Sequence, residues 1–270
     1  MKALPLILEA EQLQPQLNST CKNLLIVDLS SESSYLQGHI PGAIHLPFQT
    51  LMSGQAPAPG RLPEEARLQQ LGAFLGLHDD LHIVAYDDEG GGWAGRFIWT
   101  LDVLGHNKAS YLNGGIHAWR GLGYEQQTDA STPSSNSYLL PPLNYNVIAN
   151  IDDILPQLGT NNVVVWDARS SAEYRGEKVF SAHGGHIPGA INCDWANLMD
   201  RNRDLRIRTD AEEFLAKLGL DKTQDIITHC QSHHRSGLTY LVGKNLGFKI
   251  RAYHGSWGEW GNTPGLPIEK

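Results

Sequence analysis

The sequence predicts an α/β protein built from two tandem domains, each a mainly parallel sheet covered by helices. Three observations lead there. The 270 residues are long for one core and suit two domains of about 125 residues each. The hexapeptide GHIPGA occurs twice, at Gly38 and at Gly185, inside longer stretches that also match, and self-similarity of this kind marks a duplicated unit. Short β-branched apolar runs alternate with segments of helical spacing, the pattern of parallel strands with helices on the faces of the sheet.

The first copy reads in order. Residues 24–28, LLIVD, form a buried strand ending in an acid, and GHIPGAIHLP makes a turn through Pro41 and Gly42 into a short apolar run. Residues 64–75 carry Ala66, Leu68, Leu71 and Leu75 at helical spacing. HIVAY, 82–86, is a third strand; a Gly-rich loop over 87–92 follows it, then a helix over 93–104. The copy closes with SYLNGGIHAW and the glycines Gly121 and Gly123.

The second copy repeats this order. VVVWDAR answers LLIVDLS, DIITHC answers LHIVAYD with Cys230 standing over Asp87, and AYHGSWGEW answers SYLNGGIHAW with Trp260 over Trp119. The largest insertion is GEKVFSAHG, ahead of His186. Between the copies, residues 126–142 are rich in Ser, Thr, Asn and Pro without periodicity, which indicates a linker running over the surface. The expected division is 1–125 for a domain without the nucleophile, 126–145 for the linker and 146–270 for the catalytic domain.

Composition narrows the function classes. A net charge of −8 argues against nucleic-acid or anionic-membrane binding through overall charge. The start, MKALPLILEAEQLQPQL, meets Glu9 and Glu11 too soon for a signal peptide, and no stretch approaches a membrane span. The 3 cysteines, Cys21, Cys193 and Cys230, are widely spaced and odd in number, which suits a reducing, cytoplasmic compartment and a free thiol.

The chemistry points to DIITHCQSHHRSG, 225–237. A β-branched strand over 226–228 leads into an apolar helical segment over 238–246, with Cys230 between them. Unpaired N–H groups of the turn and first helical turn favour a thiolate there. His229, His233, His234 and Arg235 surround it, and no carboxylate lies between Ile226 and Gly237. This is a nucleophile's setting in an accessible loop. A buried inert cysteine is the competing reading, and a zinc site lacks a second set of spaced ligands.

VDLSSESSYLQGHIPGA, WDARSSAEYRG with GHIPGA, and HCQSHHRSG together resemble the rhodanese, or sulfurtransferase, family in its tandem two-domain bacterial form. The resemblance covers nearly the whole chain. It implies two rhodanese-like domains, an active C-terminal copy and no cofactor. It also implies that Cys230 takes a sulfane sulfur from thiosulfate as a persulfide and passes it to cyanide, a thiol or a protein acceptor. The loop 230–235 matches the family's six-residue active loop. Arg235 with His234 or His233 is assigned to substrate charge, Gln231 and Ser232 to the loop lining, and Trp195 to a pocket wall or the core. A monomer is expected.

The loop CQSHHR departs from the Cys-Gly-Ser-Gly-Val-Thr pattern that resembles 3-mercaptopyruvate users. It also departs from the Arg-Lys-Gly that follows the cysteine in animal-type thiosulfate enzymes. A cysteine phosphatase of the same fold needs Cys-x5-Arg, whereas Cys230 to Arg235 is Cys-x4-Arg. A non-enzymatic sulfur or selenium carrier stays open, because it shares the persulfide step. In the first copy, Asp87, Asp88 and Glu89 replace Cys230, Gln231 and Ser232. That loop is expected to be structural, its acids repelling an anionic donor.

Overall fold

The computed structural model describes residues 4–17, 23–133, 135–160 and 162–270; Cys21 lies outside them. The first half contains β1 (Ile7–Leu8), α1 (Ala10–Leu17), β2 (Leu24–Asp28), α2 (Glu32–Gln37), β3 (Ile44–His45), α3 (Glu65–Leu75), β4 (His82–Tyr86), α4 (Gly92–Val103), β5 (Ala109–Leu112) and α5 (Gly115–Gly121). The second contains β6 (Ile148–Ala149), α6 (Ile151–Ile154), β7 (Val163–Asp167), α7 (Ser171–Tyr174), β8 (Ile191–Asn192), β9 (Met199–Asp200), β10 (Arg206–Ile207), α8 (Ala211–Lys217), β11 (Asp225–His229), α9 (Arg235–Leu246), β12 (Lys249–Tyr253) and α10 (Ser256–Trp260).

The two large sheets have one topology. Their orders are β1-β5-β4-β2-β3 and β6-β12-β11-β7-β8, and every pairing within them is parallel. Two α/β units of one topology therefore follow one another, as the repeat predicts. β11 lies between β7 and β12, so Ile226 and Ile227 are buried among strands and helices and are fully enclosed. Because the sheet is parallel, the loop after β11 opens at its carboxyl edge, where such sheets place ligands.

Element boundaries differ from the sequence reading in two places that matter. Helix α9 starts at Arg235 rather than near 238, and α4 at Gly92 rather than 93. Gly92 opens α4, and Arg235, Ser236 and Gly237 open α9, residues that carry no apolar period. The edge strands β1 and β6 have two residues each, too few for a pattern. The linker is packed rather than loose: Gln127 and His39 exchange backbone hydrogen bonds of 2.9 Å. Further along it, the Tyr138 ring is so close to α3 that a Cβ on Gly72 would lie 2.2 Å from it.

The copies share one apolar core, in which Phe97, Trp99 and Leu101 of α4 meet Leu238 and Leu241 of α9. Polar ties cross the same seam. Asp102 accepts from Tyr240 Oη at 2.9 Å and from Lys244 Nζ at 2.6 Å. The antiparallel ribbon β9–β10 reaches back to the first copy, where Ile207 N donates to Asn113 Oδ1 at 2.8 Å and Arg206 pairs with Glu9 at 2.5 Å. Among the described residues no helix is long and apolar enough to cross a membrane.

Candidate active site

Cys230 is the first residue beyond β11 and is a free thiol. It is only 1% exposed, which corrects the expectation of an accessible cysteine: the loop folds around the sulfur. Burial pushes the thiol up. The Arg235 guanidinium, the hydroxyl and N–H of Ser236, and His234 outweigh burial and hold Cys230 below the ordinary thiol value. The arrangement favours a thiolate fixed at the start of a helix. By contrast, Cys193 is buried beside Asp194, and its thiol is pushed up to about 12.

The loop backbone is anchored on both sides. The Cys230 and Gln231 carbonyls accept from Trp257 N at 3.0 Å and Gly258 N at 2.9 Å, at the start of α10. Ser232 abuts the first copy so tightly that a Cβ on Gly60 would lie 2.0 Å from its carbonyl oxygen. His233 adopts φ +53°. His234 follows in the right-handed region, and alternating left- and right-handed residues can turn successive N–H groups toward one centre, as in an anion-binding nest.

The expected site residues fall into two groups. Near the sulfur, Arg235 directs both terminal nitrogens at the Glu173 carboxylate, at 2.7 and 2.8 Å. Glu173 is 3% exposed, and Arg235 holds it down to about 2 against the rise that burial alone causes. His234 stacks on Trp93 with centroids 4.0 Å apart, pairs with Glu89, and leans on Trp195 at 5.6 Å. Trp195 is thus part of the wall around His234, at the head of a 3-10 turn. The second group shapes the loop. His233 is fully buried, contacts Ser236 Oγ at 2.8 Å, and is held neutral by burial and by Arg96. Gln231 donates to Ser181 Oγ at 3.1 Å, so the GEKVFSAHG insertion braces the loop. Ser232 is half-buried against Gly60.

Sequence reasoning missed Glu173, Glu89, Trp93 and Arg96. The Ser170–Glu173 capping box that starts α7 is legible as S-x-x-E, but its pairing with Arg235 is not. The acids of the first loop are taken up by structural hydrogen bonds, in keeping with the structural role expected of that loop. Asp87 Oδ1 accepts from the N–H groups of Glu89, Gly90 and Gly91 at 3.2, 3.1 and 2.8 Å, and Oδ2 from Ala94 at 3.0 Å. Asp88 accepts from the Ser34 hydroxyl at 2.7 Å. The Asp87 carboxylate thus gathers the N–H groups of its own loop, at the position that Cys230 holds in the second copy.

A duplicated parallel α/β domain with one thiolate-bearing loop at a sheet's carboxyl edge defines a tandem rhodanese-fold protein. The rhodanese-like domain family matches residues 9–122 and 151–263, and the chain belongs to that family. It is 47% identical over 268 residues to the thiosulfate sulfurtransferase of Azotobacter vinelandii, covering 99% of this chain and 98% of that protein. The thiosulfate sulfurtransferase of Pseudomonas aeruginosa is also 47% identical, over 98% of this chain and 97% of its own. A sulfur carrier protein, TtuD, of Thermus thermophilus is 31% identical over 87% of each chain. In fold, the chain is similar to the anaerobic ergothioneine biosynthesis enzyme of Chlorobium limicola, with a TM-score of 0.87 at 20% identity over 98% of this chain and 70% of that one.

Proposed function

We propose that this protein is a thiosulfate sulfurtransferase that moves a sulfane sulfur from thiosulfate to cyanide or another thiophilic acceptor through a persulfide on Cys230. The observation that carries the reading is a free Cys230 buried at the carboxyl end of β11, with Arg235, Ser236 and His234 holding its thiol below the ordinary value. The thiolate attacks the outer sulfur of thiosulfate. A Cys230 S–S bond forms, the bond between the two sulfurs of thiosulfate breaks, and sulfite leaves with the electron pair. The acceptor then attacks the outer sulfur of the persulfide, and the Cys230 thiolate leaves unchanged.

In this reading the loop N–H groups, the fixed charge of Arg235 and the His234 ring beside it stabilise the persulfide and the departing sulfite. Arg235 acts as a point of charge, since its fork already holds Glu173. Trp195 and Trp93 wall the entrance, while Gln231, Ser232 and His233 keep the loop in shape. The division into 1–125, a linker over 126–145 and a catalytic 146–270 fits these roles. One chain supplies both sides of the site, so a monomer suffices. The free thiols of Cys193 and Cys230 support a cytoplasmic, reducing setting.

Intact mass after thiosulfate treatment tests the reading: a gain of about one sulfur is expected in the wild type and none in Cys230→Ala. Absence of that gain in folded protein overturns it. The likeness to a sulfur carrier supports a second reading, delivery to a protein thiol. Steady-state thiosulfate:cyanide turnover, compared with single-turnover transfer to a purified thiol protein, separates the two.

A further inference from the structure

The charges around Cys230 are paired with one exception. From α7, Glu173 holds Arg235; at the end of β7, Asp167 holds Arg169 at 2.5 Å and faces His229 at 3.7 Å. Glu89, before α4, meets His234, and Arg61 meets Glu259. Asp87 is occupied by its own loop. Burial holds His229 and His233 neutral, and His254, whose Nδ1 accepts from Leu62 N at 3.1 Å, is pushed down to about 3.

The exception is Arg96, on α4 of the copy without a cysteine. It is 0% exposed, and among the described residues no carboxylate pairs with it. Its hydrogen bonds go to three carbonyls: Leu51 at 2.6 Å, Gly60 at 2.7 Å and His233 at 3.3 Å. Its Nε has no partner, and its guanidinium lies 4.8 Å from the Trp99 ring centre. A buried cation without a counter-charge is expensive. Two of its three carbonyl bonds bear on the loop: one goes to left-handed His233 itself, the other to Gly60, against which Ser232 is packed.

We propose that Arg96 is a positioning residue of the active loop and a second counter-charge of the Cys230 anion behind Arg235, so that the first domain adds a cation to the groups that keep the second domain's cysteine ionised. Burial pulls Arg96 down to about 9, and the Cys230 thiolate opposes that fall. The dependence is mutual, because whatever the thiolate does to Arg96 the guanidinium does to the thiol. It also gives the first copy a part in the chemistry that its own acidic loop does not provide. The proposal rests on Cys230 as the reacting thiol, but its main test needs no sulfur donor.

The test is the pH dependence of iodoacetamide alkylation at Cys230, read by peptide mass in wild type, Arg96→Met and Arg96→Lys, with circular dichroism as the check of fold. Arg96→Met is expected to raise the midpoint by about one pH unit or more, a tenfold loss of thiolate at a fixed pH below it. Arg96→Lys keeps the charge and loses the three-carbonyl grip. Its midpoint is expected to stay within about 0.3 of wild type, while kcat for thiosulfate:cyanide transfer falls about fivefold or more with little change in KM. A folded Arg96→Met with an unmoved midpoint overturns the proposal. Should Arg96→Met not fold, Arg96→Lys decides: wild-type kcat, or a midpoint raised by a full unit, overturns it. A shifted midpoint in a protein that transfers no sulfur upholds the proposal and refutes the assigned reaction.

Discussion

Gly95 of α4 and Gly237 of α9 meet backbone to backbone where the two domains cross. A Cβ on Gly95 would lie 2.3 Å from the Gly237 carbonyl oxygen, and one on Gly237 would lie 2.4 Å from Arg96 N. Neither atom belongs to a movable side chain, so the helices must separate to admit even a methyl group. Gly237→Ala is therefore expected to cost about 1–3 kcal/mol as overpacking and to lower sulfur transfer, since the same crossing sets Arg96 against the loop. Chemical denaturation with parallel turnover measurements checks this; a variant as stable and as active as wild type refutes it.

Cys230→Ala is expected to abolish transfer while leaving the fold intact, because the side chain removed is small and its loop is anchored through backbone carbonyls. Cys193→Ser is expected to keep persulfide formation, since burial leaves that thiol protonated at neutral pH. Cyanide turnover and the sulfur mass gain read both variants. Residual turnover in Cys230→Ala, or a lost mass gain in folded Cys193→Ser, would show that another thiol carries the sulfur.

Arg235→Lys is expected to lower kcat/KM about tenfold or more, equivalent to at least about 1.4 kcal/mol of transition-state stabilisation. A lysine keeps a positive charge but has no planar fork for both Glu173 oxygens, so the charge beside the sulfur is no longer fixed. Equal kcat/KM in the two proteins would remove Arg235 from the chemistry.

Glu173→Gln tests the same pair through pH. Glu173 is held down to about 2, against an ordinary 4.5. A depressed acid contributes stability that is complete above 4.5 and is lost as pH falls from there toward 2. The variant is expected to melt below wild type at pH 7, with the gap closing across that acid window. Melting temperatures at pH 7, 4 and 3 decide it, and a gap that is constant with pH counts against the pairing.

Asp87→Ala is expected to change turnover little and to lower stability by about 2–4 kcal/mol. It strands several N–H groups that now share a buried carboxylate. Asp87→Asn, which keeps one acceptor oxygen, is expected to lose less. A large fall in kcat with unchanged melting would place the first loop in the chemistry.

The sequence alone determined the duplication, the parallel α/β layers and the place of Cys230, since each rests on local pattern. Strand runs and repeated turns declare themselves within a few residues, and a thiol between a β-branched run and a helix start needs no distant partner to be noticed. Tertiary structure decided the charges. Glu173 reaches Arg235 from another helix of the same domain, and Glu89 and Arg96 come from the other domain altogether. Which cation finds a carboxylate depends on how two surfaces dock. That docking turns on two glycines, Gly95 and Gly237, whose lack of a side chain lets α4 and α9 touch, and nothing in their neighbourhood along the chain announces the contact.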